Sequence, residues 1–387
     1  MPNAQNRILT THAGSLPRPA ALADMLGRKS RHESVDEAAL EQMIAESTAR
    51  VIARQLECGI DIGNNGEQAR ESFFTYVQHR MTGFSGQSHR PTMSDLVRYP
   101  SYRDFLVQLR SRIKVDLLSA PQATGEVRYT GFDAVKKECS DFRRALEAQK
   151  SQFADLFMTA PSPGIIAAAM LNAHYPSLAD YVAALGVALK TEYEAIVNSG
   201  FTLQIDAPDL AMERHTSFSG KPLSEFLAFI DTVIDTINRS IAGLPKEKVR
   251  LHVCWGNYEG PHTDDIALDE IVDHLYRANV SAMLLSMANP RHEHEYHSFA
   301  RHPLPRGMQL IVGVIDSTTN YVEHPEVVAD RIERAARAIG DPQRIMAGTD
   351  CGFETSSGLG MVAEDLVWEK FRALSEGAAL ASRRLFG

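Results

Sequence analysis

Short apolar runs recur along the chain, and each of them ends in polar or glycine-rich residues. Eight such runs can be recognised, at 7–11, 59–62, 156–159, 202–206, 248–254, 282–286, 309–314 and 344–348. Runs of this length, bounded by turn-forming residues, are typical of buried strands in a parallel sheet.

Amphipathic patterns with a helical period lie between the apolar runs. The first begins near Ser34, where Ser34-x-x-Glu37 has the form of a capping box, and it continues to Leu56. Pro325 suits the first turn of a later helix and Gly340 suits its end. The remaining patterns that predict helices lie at 134–149, 181–197, 223–241, 267–277, 325–339 and 365–374.

Strand and helix alternate eight times, and this predicts a (β/α)₈ TIM barrel that forms a single domain over residues 1–387. An open doubly wound sheet is the alternative, but no Gly-x-Gly-x-x-Gly motif follows the first run. The connection between the second and third runs is too long for a simple loop. We therefore predict an insertion over 75–150, formed by a hairpin of 115–120 with 125–131 and a following helix. It would serve as a lid or as a dimer contact.

Composition and charge narrow the classes of partner. The net charge of −9 argues against nucleic-acid binding, which requires a concentrated basic surface. The sequence contains no apolar run of about 18 residues or more, so we expect no membrane span. Residues 1–7 lack the apolar core of a secretory signal, and the four cysteines form no Cys-x-x-Cys pair. A cytoplasmic protein with thiols or metal ligands is the resulting expectation.

Three residues at predicted strand ends have the chemistry of zinc ligands. His252 and Cys254 lie two positions apart in the fifth run, so their side chains point to the same face. Cys351 follows the eighth run and offers a second sulfur. Each residue alone could be an inert core side chain. Together they lie where barrels carry their active sites, and they indicate a Zn²⁺ site with an open fourth position.

Further polar residues are expected at the same mouth of the barrel. They follow the other apolar runs: His12, Ser15, Asn64, Glu67, Ser162, Asp206, Ser286, Asn289, Asp316 and Asp350. A substrate thiol bound to zinc would be a thiolate at neutral pH, because the cation lowers the pKa of the thiol. Such a thiolate can attack an electrophilic carbon.

Seven motifs follow one another from end to end of the chain: 11–18 THAGSLPR, 65–70 NGEQAR, 204–208 QIDAP, 251–254 LHVC, 288–295 ANPRHEHE, 313–316 GVID and 348–352 GTDCG. With these motifs the chain resembles the cobalamin-independent methionine synthase superfamily. The resemblance is to its catalytic C-terminal barrel and to the smaller epoxyalkane:coenzyme M transferases, also called 2-hydroxypropyl-coenzyme M lyases.

The resemblance implies a role for each motif. It implies that His252, Cys254 and Cys351 bind Zn²⁺, and that the thiol pocket is lined by Gly14, Ser15, Glu67 and Asp206. In the synthases the matching carboxylates hold the amino group of homocysteine. Asp316, or His12, would act as the general acid for an alkoxide leaving group. Independently of the resemblance, Arg291 or Arg70 could bind an anionic substrate tail, because arginine suits sulfonate or carboxylate.

Three features depart from the superfamily or from known metal motifs. The synthases use a glutamate from the sixth strand as a zinc ligand, and Ser286 or Met287 stands in its place here. Their Asp-Glu-Pro is Asp206-Ala207-Pro208, so a carboxylate is missing, and their separate N-terminal half has no counterpart. Methionine synthesis from a polyglutamylated folate is therefore disfavoured. The segment 291–297 does not match His-Glu-x-x-His, so we expect a solvated helix start there.

The function predicted from the sequence is zinc-dependent alkyl or methyl transfer to a small thiol. A metal-free barrel that binds a small molecule is one alternative. A methionine synthase-type methyltransferase that uses homocysteine is another. Zinc-dependent hydrolysis ranks lower, because two thiolate ligands make the metal less acidic. The expected partners are a small-molecule thiol and an alkyl donor, with a homodimer possible.

Overall fold

The computed structural model describes residues 6–110, 120–149 and 152–387. Its strands are β1 Leu9–Thr10, β2 Ile62–Gly63, β3 Phe84–Ser85, β4 Gln122–Ala123, β5 Asp155–Pro161, β6 Thr202–Asp206, β7 Val249–Val253, β8 Ala282–Leu285, β9 Gln309–Ile315 and β10 Ile345–Thr349. The predicted strand runs correspond to β1, β2 and β5 to β10.

Eight parallel strands form a nearly closed barrel in the order β1-β10-β9-β8-β7-β6-β5-β2. The end strands β1 and β2 are linked through side chains, because Thr11 Oγ1 donates to Ile62 O at 3.0 Å and Thr10 N donates to Asp61 Oδ2 at 2.9 Å. The (β/α)₈ TIM barrel predicted from the sequence is confirmed, and the open sheet is not.

Helices surround the sheet. They are α1 Ala20–Ser30, α2 Glu37–Glu57, α3 Ser94–Arg98, α4 Pro100–Arg110, α5 Phe132–Glu147, α6 Pro163–Ala169, α7 Leu178–Asn198, α8 Asp209–Met212, α9 Leu223–Ser240, α10 Leu268–Leu275, α11 Ser298–Arg301, α12 Pro325–Ile339 and α13 Glu364–Phe386. Short 3-10 turns lie at Thr75–His79, Glu213–His215, Lys246–Lys248, Glu295–His297 and Pro342–Arg344. Within the described ranges, none of these helices is long and apolar enough to cross a membrane.

Local sequence explains most helix ends. Pro325 begins α12, and Gly340 ends it with a left-handed φ of 78°. The predicted capping box at Ser34 is wrong, because α2 is capped by Asp36, whose side chain accepts from Ala39 N at 3.1 Å. An Asp at the N-cap satisfies the same orphan N–H groups, so the helix begins two residues later than expected.

Two apolar layers divide the core. One lies between the sheet and the helices, where inward-facing helix residues pack on the outer faces of the strands. The other fills the inside of the barrel with Leu9, Ala13, Ile62, Phe157, Ala282, Leu284, Ile311 and Met346. The interior also holds the fully buried Arg250, whose guanidinium lies 3.8 Å from the Phe157 ring centroid. The barrel is therefore a packed support for the loops at its mouth.

The long connection between β2 and β5 is an excursion from the barrel, as predicted. Its antiparallel pairing differs from the predicted hairpin, because β3 pairs with β4 and Met81 forms an isolated bridge with Tyr129. The arm 125–131 thus pairs with earlier residues of the excursion. Residues 115–119 of the other arm lie outside the described residues. The helix expected at 134–149 is α5.

Candidate metal centre and substrate cavity

Three potential metal ligands converge at the carboxyl ends of β7 and β10. His252 lies on β7, Cys254 follows β7 directly, and Cys351 follows β10. Their donor atoms all lie within 4.8 Å of one another, and all three residues are buried. The strands are separated by β8 and β9, but the curvature of the barrel brings their ends to one place. Two thiol sulfurs and an imidazole nitrogen are a donor set that fits zinc.

The register of the parallel strands gives His252 a carboxylate partner. Asp206 on β6 is the direct neighbour of His252 on β7, and the Nδ1 atom of His252 lies 2.9 Å from Asp206 Oδ1. Nε2 of the same ring lies 3.1 Å from the carbonyl oxygen of Asp350. Such a carboxylate partner fixes the orientation of a metal-binding imidazole and raises its basicity.

The pKa shifts of the three residues favour a charged sulfur on Cys254. A hydrogen bond from Cys351 outweighs burial and, with His252, holds the pKa of Cys254 well below its usual range. The same contact, together with burial, raises the pKa of Cys351. Burial lowers the pKa of His252, but the hydrogen bonds to Asp206 and Cys254 outweigh it and raise that pKa to about 10. A buried thiolate requires a nearby positive charge, which a bound cation also provides.

Of the two residues that could stand in place of the superfamily's glutamate, Ser286 is the one whose side chain lies near Cys351. The Oγ atom of Ser286 lies 4.0 Å from Cys351 Sγ and donates to the carbonyl oxygen of Asp350 at 2.9 Å. The Met287 side chain packs into the outer apolar layer instead. The carboxylate of Asp350 accepts the backbone N–H groups of Met287, Ala288 and Asn289, so Asp350 orders this loop.

A cavity of about 680 Å³ opens above these residues. We call its barrel side the floor, which consists of Ala13, Ser15, Glu67, Asp206, His252, Cys254, Cys351 and Gly352. We call its opposite side the roof, whose apolar members are Phe73, Phe74, Met93, Leu96, Ile165, Pro208, Met212 and Leu359. The other lining residues, most of them polar, are His89, Arg90, Pro91, Thr92, Thr216, Gly256, Asn257, Tyr258 and Thr355.

Glu67 is a carboxylate with one oxygen left for a ligand. Its Oε1 accepts from Thr159 Oγ1 at 2.8 Å, whereas Oε2 is buried without a hydrogen-bond partner. Burial raises the pKa of Glu67 to about 7. Its backbone has a φ of 57°, which is uncommon for a residue other than glycine. Glu67 thus combines a strained backbone with an unsatisfied carboxyl at the floor, and these are features of a binding residue.

Gly14 lies beside Glu67, and Ser15 lines the same cavity. A Cβ atom on Gly14 would lie 2.7 Å from Glu67 Oε1, and its φ is +134°. Only glycine therefore allows the chain to pass this close to the carboxylate. Ser15 lines the cavity itself, whereas Gly14 acts by leaving space.

Three residues predicted to act in the site lie away from the cavity lining. His12 is buried between Phe157 and Phe371, and its two ring nitrogens contact Gln55 Oε1 and the backbone N–H of Gly14. Burial lowers its pKa to about 3. These contacts give His12 a role in holding the Gly14 turn, and they do not support the predicted role as a general acid.

Asp316 and Arg291 are the other two predicted residues that lie away from the cavity lining. Oδ1 of Asp316 accepts from both the backbone N–H and the hydroxyl of Thr318 at 2.7 Å, so it caps its own loop. Arg291 is exposed, and its Nε donates to the carbonyl oxygen of His262 at 3.2 Å. Both follow predicted strand ends, but the side chain of Asp316 turns toward its own loop and that of Arg291 toward the β7–α10 connection. Neither the acid role of Asp316 nor the anion-binding role of Arg291 is supported.

Other site residues were not found from the sequence. Arg90 and Met93 belong to the excursion, and Met212 belongs to a short helix after β6. Asn257 and Tyr258 follow Cys254 so closely that their place at the mouth could have been expected. The roof residues carry no local motif, because their position depends on how the excursion folds back.

The excursion is fixed to the loop after β7 through Asp95. Oδ2 of Asp95 accepts from the hydroxyl of Tyr258 at 2.9 Å, and Oδ1 of Asp95 accepts from Thr263 Oγ1 at 3.0 Å. These contacts hold the segment that includes Met93 and Leu96 over the cavity.

A family model described as "Cobalamin-independent synthase, Catalytic domain" matches residues 8–117 and 139–364, which is well over half of the chain. A methionine synthase from Sulfolobus acidocaldarius is 25% identical over 351 residues, covering 89% of this chain and 85% of the relative. A 2-hydroxypropyl-CoM lyase from Xanthobacter autotrophicus is 23% identical, covering 98% of this chain and 96% of the relative.

Solved structures show the same fold. A B12-independent methionine synthase from Shewanella sp. W3-18-1, in complex with selenomethionine, superposes with a TM-score of 0.72 at 22% identity. The superposition covers 98% of this chain and 99% of that one. A putative vitamin-B12-independent methionine synthase from Listeria monocytogenes gives a TM-score of 0.64 at 17% identity, covering 98% of this chain and 99% of that one.

Proposed function

The chain belongs to the family of cobalamin-independent synthase catalytic domains, and on this premise we propose that it is a zinc-dependent enzyme that transfers a methyl or other alkyl group to a thiol. The single observation that carries the proposal is the convergence of His252, Cys254 and Cys351 at the floor of the cavity. Similarity to relatives named methionine synthase and 2-hydroxypropyl-CoM lyase supports the same reaction class.

The three residues would hold Zn²⁺, and Asp206 would orient His252. A bound zinc ion lowers the pKa of a substrate thiol, so the thiol is a thiolate at neutral pH. The chain's own residues then place the reactants. Arg250 Nε donates to Gln204 Oε1 at 2.8 Å, and Gln204 Nε2 donates to Asp206 Oδ1 at 2.7 Å. This series of hydrogen bonds fixes the carboxylate that supports the imidazole.

We propose that the thiol substrate carries an amino group. Oε2 of Glu67 is available at the floor, and Asp206 lines the same region, so a cationic amine would satisfy two carboxylates there. Among the described lining residues, Arg90 is the one Arg or Lys, and it is paired with the buried Glu213. A thiol with a sulfonate tail would therefore find no unpaired arginine or lysine. Homocysteine fits this pattern better than coenzyme M.

The apolar roof would take the alkyl donor. Phe73, Phe74 and Ile165 provide a surface that excludes water from the reacting sulfur. Exclusion of water strengthens the electrostatic interactions inside a site and protects a thiolate from side reactions. We propose further that the excursion acts as the lid of this cavity, and the predicted homodimer stays a prediction.

Metal analysis combined with thiol binding tests the function. We expect the purified protein to contain zinc, and X-ray absorption to report an additional sulfur on the metal when homocysteine is added. Thermal unfolding with homocysteine, coenzyme M and 3-mercaptopropionate compares the thiols, because a ligand of the folded state raises the Tm. The proposal would be abandoned if the protein bound no zinc and the Cys254→Ala variant transferred alkyl groups at the wild-type rate.

A cytoplasmic location is also proposed. The four cysteines are unpaired and buried, which is compatible with a reducing compartment. Fractionation of cells that produce the full-length protein tests this, and recovery in the periplasmic or membrane fraction would contradict it.

A further inference from the structure

A second group of metal-capable side chains lies behind the cavity wall. Asp265 is surrounded by three histidines, and we call these four residues the Asp265 cluster. Oδ2 of Asp265 lies 2.7 Å from His262 Nδ1 and 2.8 Å from His292 Nε2. Oδ1 of Asp265 lies 2.8 Å from His215 Nδ1. The donor atoms of His262, Asp265 and His292 all lie within 4.8 Å of one another.

The cluster is buried and comes from separate parts of the chain. The side chains of His215, His262, His292 and Asp265 are between 0% and 5% exposed. His215 ends the 3-10 turn after α8, His262 and Asp265 belong to the β7–α10 connection, and His292 follows β8. The expected solvated helix start at 291–297 is therefore wrong for His292. Its partners lie some thirty residues away in sequence, so no local motif could reveal them.

Aromatic side chains hold two of the rings in place. Trp255 stacks on His292 with 4.1 Å between the ring centroids, and Tyr258 stacks on His262 at 4.2 Å. The indole N–H of Trp255 donates to the carbonyl oxygen of Ile266 at 2.7 Å. Metal sites require rings that are fixed before the ion arrives, and this packing provides that order.

The hydrogen bonds leave ring lone pairs directed at the carboxylate. His262 Nε2 lies 3.0 Å from the carbonyl oxygen of Tyr258, which can only accept, so Nε2 carries a proton. In a neutral ring Nδ1 then has a lone pair that faces Asp265 Oδ2. His215 Nδ1 and Asp265 Oδ1 are close but make no hydrogen bond, and His292 Nδ1 is also without a partner. Positive charge between the imidazoles and the carboxylate would satisfy these contacts, and either ring protons or a bound cation can supply it.

We propose that the Asp265 cluster binds a second divalent transition-metal ion, with zinc as the best match. His262, His292 and Asp265 supply the ligands, and the His215 ring lies against the other oxygen of the Asp265 carboxylate at 2.8 Å. Imidazole and carboxylate ligands suit Zn²⁺ better than Mg²⁺ or Ca²⁺, which prefer oxygen. A histidine whose other nitrogen donates to a backbone carbonyl is the usual arrangement of a metal ligand.

Binding of a zinc ion requires only a small increase in the distances between the ligand atoms. Zinc bonds of about 2.0–2.1 Å in a tetrahedral site place ligand atoms roughly 3.3 Å apart, about 0.5 Å more than the separations here. The site would be structural, because its three ligands are buried and none of them is among the described residues that line the substrate cavity. It would fix the β7–α10 connection, whose residues Asn257 and Tyr258 line the substrate cavity.

The stoichiometry and sulfur content of zinc in the wild-type protein test the proposal directly. After exhaustive dialysis of zinc-loaded protein, we expect two zinc ions per chain by mass spectrometry. X-ray absorption should then report about one sulfur per zinc on average, because the two sulfurs of one site are shared over two ions. One zinc per chain with about two sulfurs would overturn the proposal. One zinc without sulfur would support it and would instead contradict the metal centre of the proposed function.

Variants separate the two sites. The Cys254→Ser/Cys351→Ser variant should retain one zinc with no sulfur ligand, and the His262→Gln/His292→Gln variant should retain one zinc with sulfur. His302→Gln is the matched control, because His302 pairs with Asp273 at 2.9 Å on the surface. It should keep both ions. If the His262→Gln/His292→Gln variant kept two zinc ions, the assignment would fail, and if it did not fold, the wild-type stoichiometry would decide.

Discussion

The floor and the roof of the cavity are built in different ways. The floor consists of residues at the ends of hydrogen-bonded parallel strands, and the pairing of Asp206 with His252 is set directly by strand register. The roof is formed largely by the excursion and by loops, and Met93 and Leu96 there are only half-buried. Under the proposed function, the barrel would therefore fix the chemistry, and the inserted segments would determine which donor enters.

The two sides also differ in their polar support. Below the floor, buried groups such as Arg250 and Gln204 hold the carboxylate of Asp206 through side-chain hydrogen bonds. The roof is attached through fewer contacts, of which those of Asp95 are the most buried. Perturbing the floor should therefore abolish the reaction, and perturbing the roof should change substrate preference.

The largest effect is expected for Cys351→Ser at the floor. The variant should lose most of its zinc and at least ~10³-fold in kcat/KM, because metal assistance contributes several kcal/mol to such reactions. Zinc content and the rate of thiol alkylation measure this. Cys58→Ser is the matched control, since Cys58 is equally buried but donates to the carbonyl oxygen of Trp368. Loss of zinc in both variants would mean that a general packing defect is responsible.

The second largest effect concerns the attachment of the excursion to the barrel. Glu138 on α5 accepts from Asn65 at 3.1 Å, and it pairs with Arg70 at 3.0 Å and Arg80 at 2.6 Å. Replacing it by glutamine leaves the buried guanidinium of Arg70 without its carboxylate partner and Arg80 with Glu192 alone, which costs about 3 kcal/mol of unfolding free energy. Urea unfolding of Glu138→Gln, compared with the exposed Glu147→Gln on the same helix, measures the difference.

The pH dependence of stability gives a second measure of Glu138. Burial alone would raise its pKa, but Arg70 and Arg80 outweigh that and lower it from 4.5 to about 2. A carboxyl with a depressed folded-state pKa stabilises the protein fully above its unfolded-state value, and this stabilisation is lost as the pH falls toward 2. The difference in stability between wild type and Glu138→Gln should therefore shrink between pH 4.5 and pH 2. A constant difference would contradict the ion-pair explanation.

These contacts show what the sequence could and could not predict. The strands and the three metal-capable residues were predictable, because apolar runs ending in polar residues are local signals and strand ends meet at one edge of a barrel. The link from Glu138 to Arg70 and Arg80 joins residues 58 and 68 positions apart. No short-range pattern specifies which buried charges will pair at such distances.

The placement of predicted site residues outside the cavity lining has a common physical cause. Asp316, His12 and Arg291 were selected because they follow apolar runs or lie in motifs, but position along a strand end does not fix side-chain direction. Asp316 turns to Thr318, and His12 turns to Gln55. The partner of Asp316 is local, whereas that of His12 lies on α2 and is distant in sequence, and both compete with the cavity for the side chain. Residues of the roof were missed for the opposite reason, since apolar side chains in a long connection give no signal of function.

A third prediction tests the ligand role of Glu67 at the floor. Glu67→Gln should lower kcat/KM for an amine-bearing thiol by about 10–100-fold, which corresponds to one hydrogen bond to a charged group. Thiols without an amine should react at rates close to those of the wild type. Glu71→Gln is the control, because Glu71 is similarly buried but bonds to Thr75 Oγ1 away from the lining. An equal loss for both kinds of thiol would exclude amine recognition.

The same residue predicts a pH profile. Burial raises the pKa of Glu67 to about 7, and only its ionised form can pair with an ammonium group. In the free enzyme, kcat/KM for the amine-bearing thiol should therefore fall as the pH decreases below about 7. Glu67→Gln should lack this decrease. If the decrease persisted in that variant, a different group would be responsible for it.

The smallest effect is expected at the roof, where Leu96 can be compared with its neighbour Val97. Leu96 lines the cavity and is half-buried, whereas Val97 is 69% exposed and is not part of the described lining. Leu96→Ala removes apolar contact with the donor, and at about 0.8 kcal/mol per methylene it should raise the KM for the donor roughly tenfold. Zinc content and thiol binding should be unchanged, and Val97→Ala should resemble the wild type. If Leu96→Ala altered the KM for the thiol instead, the roof and the floor would not be the separate donor and thiol surfaces that their construction indicates.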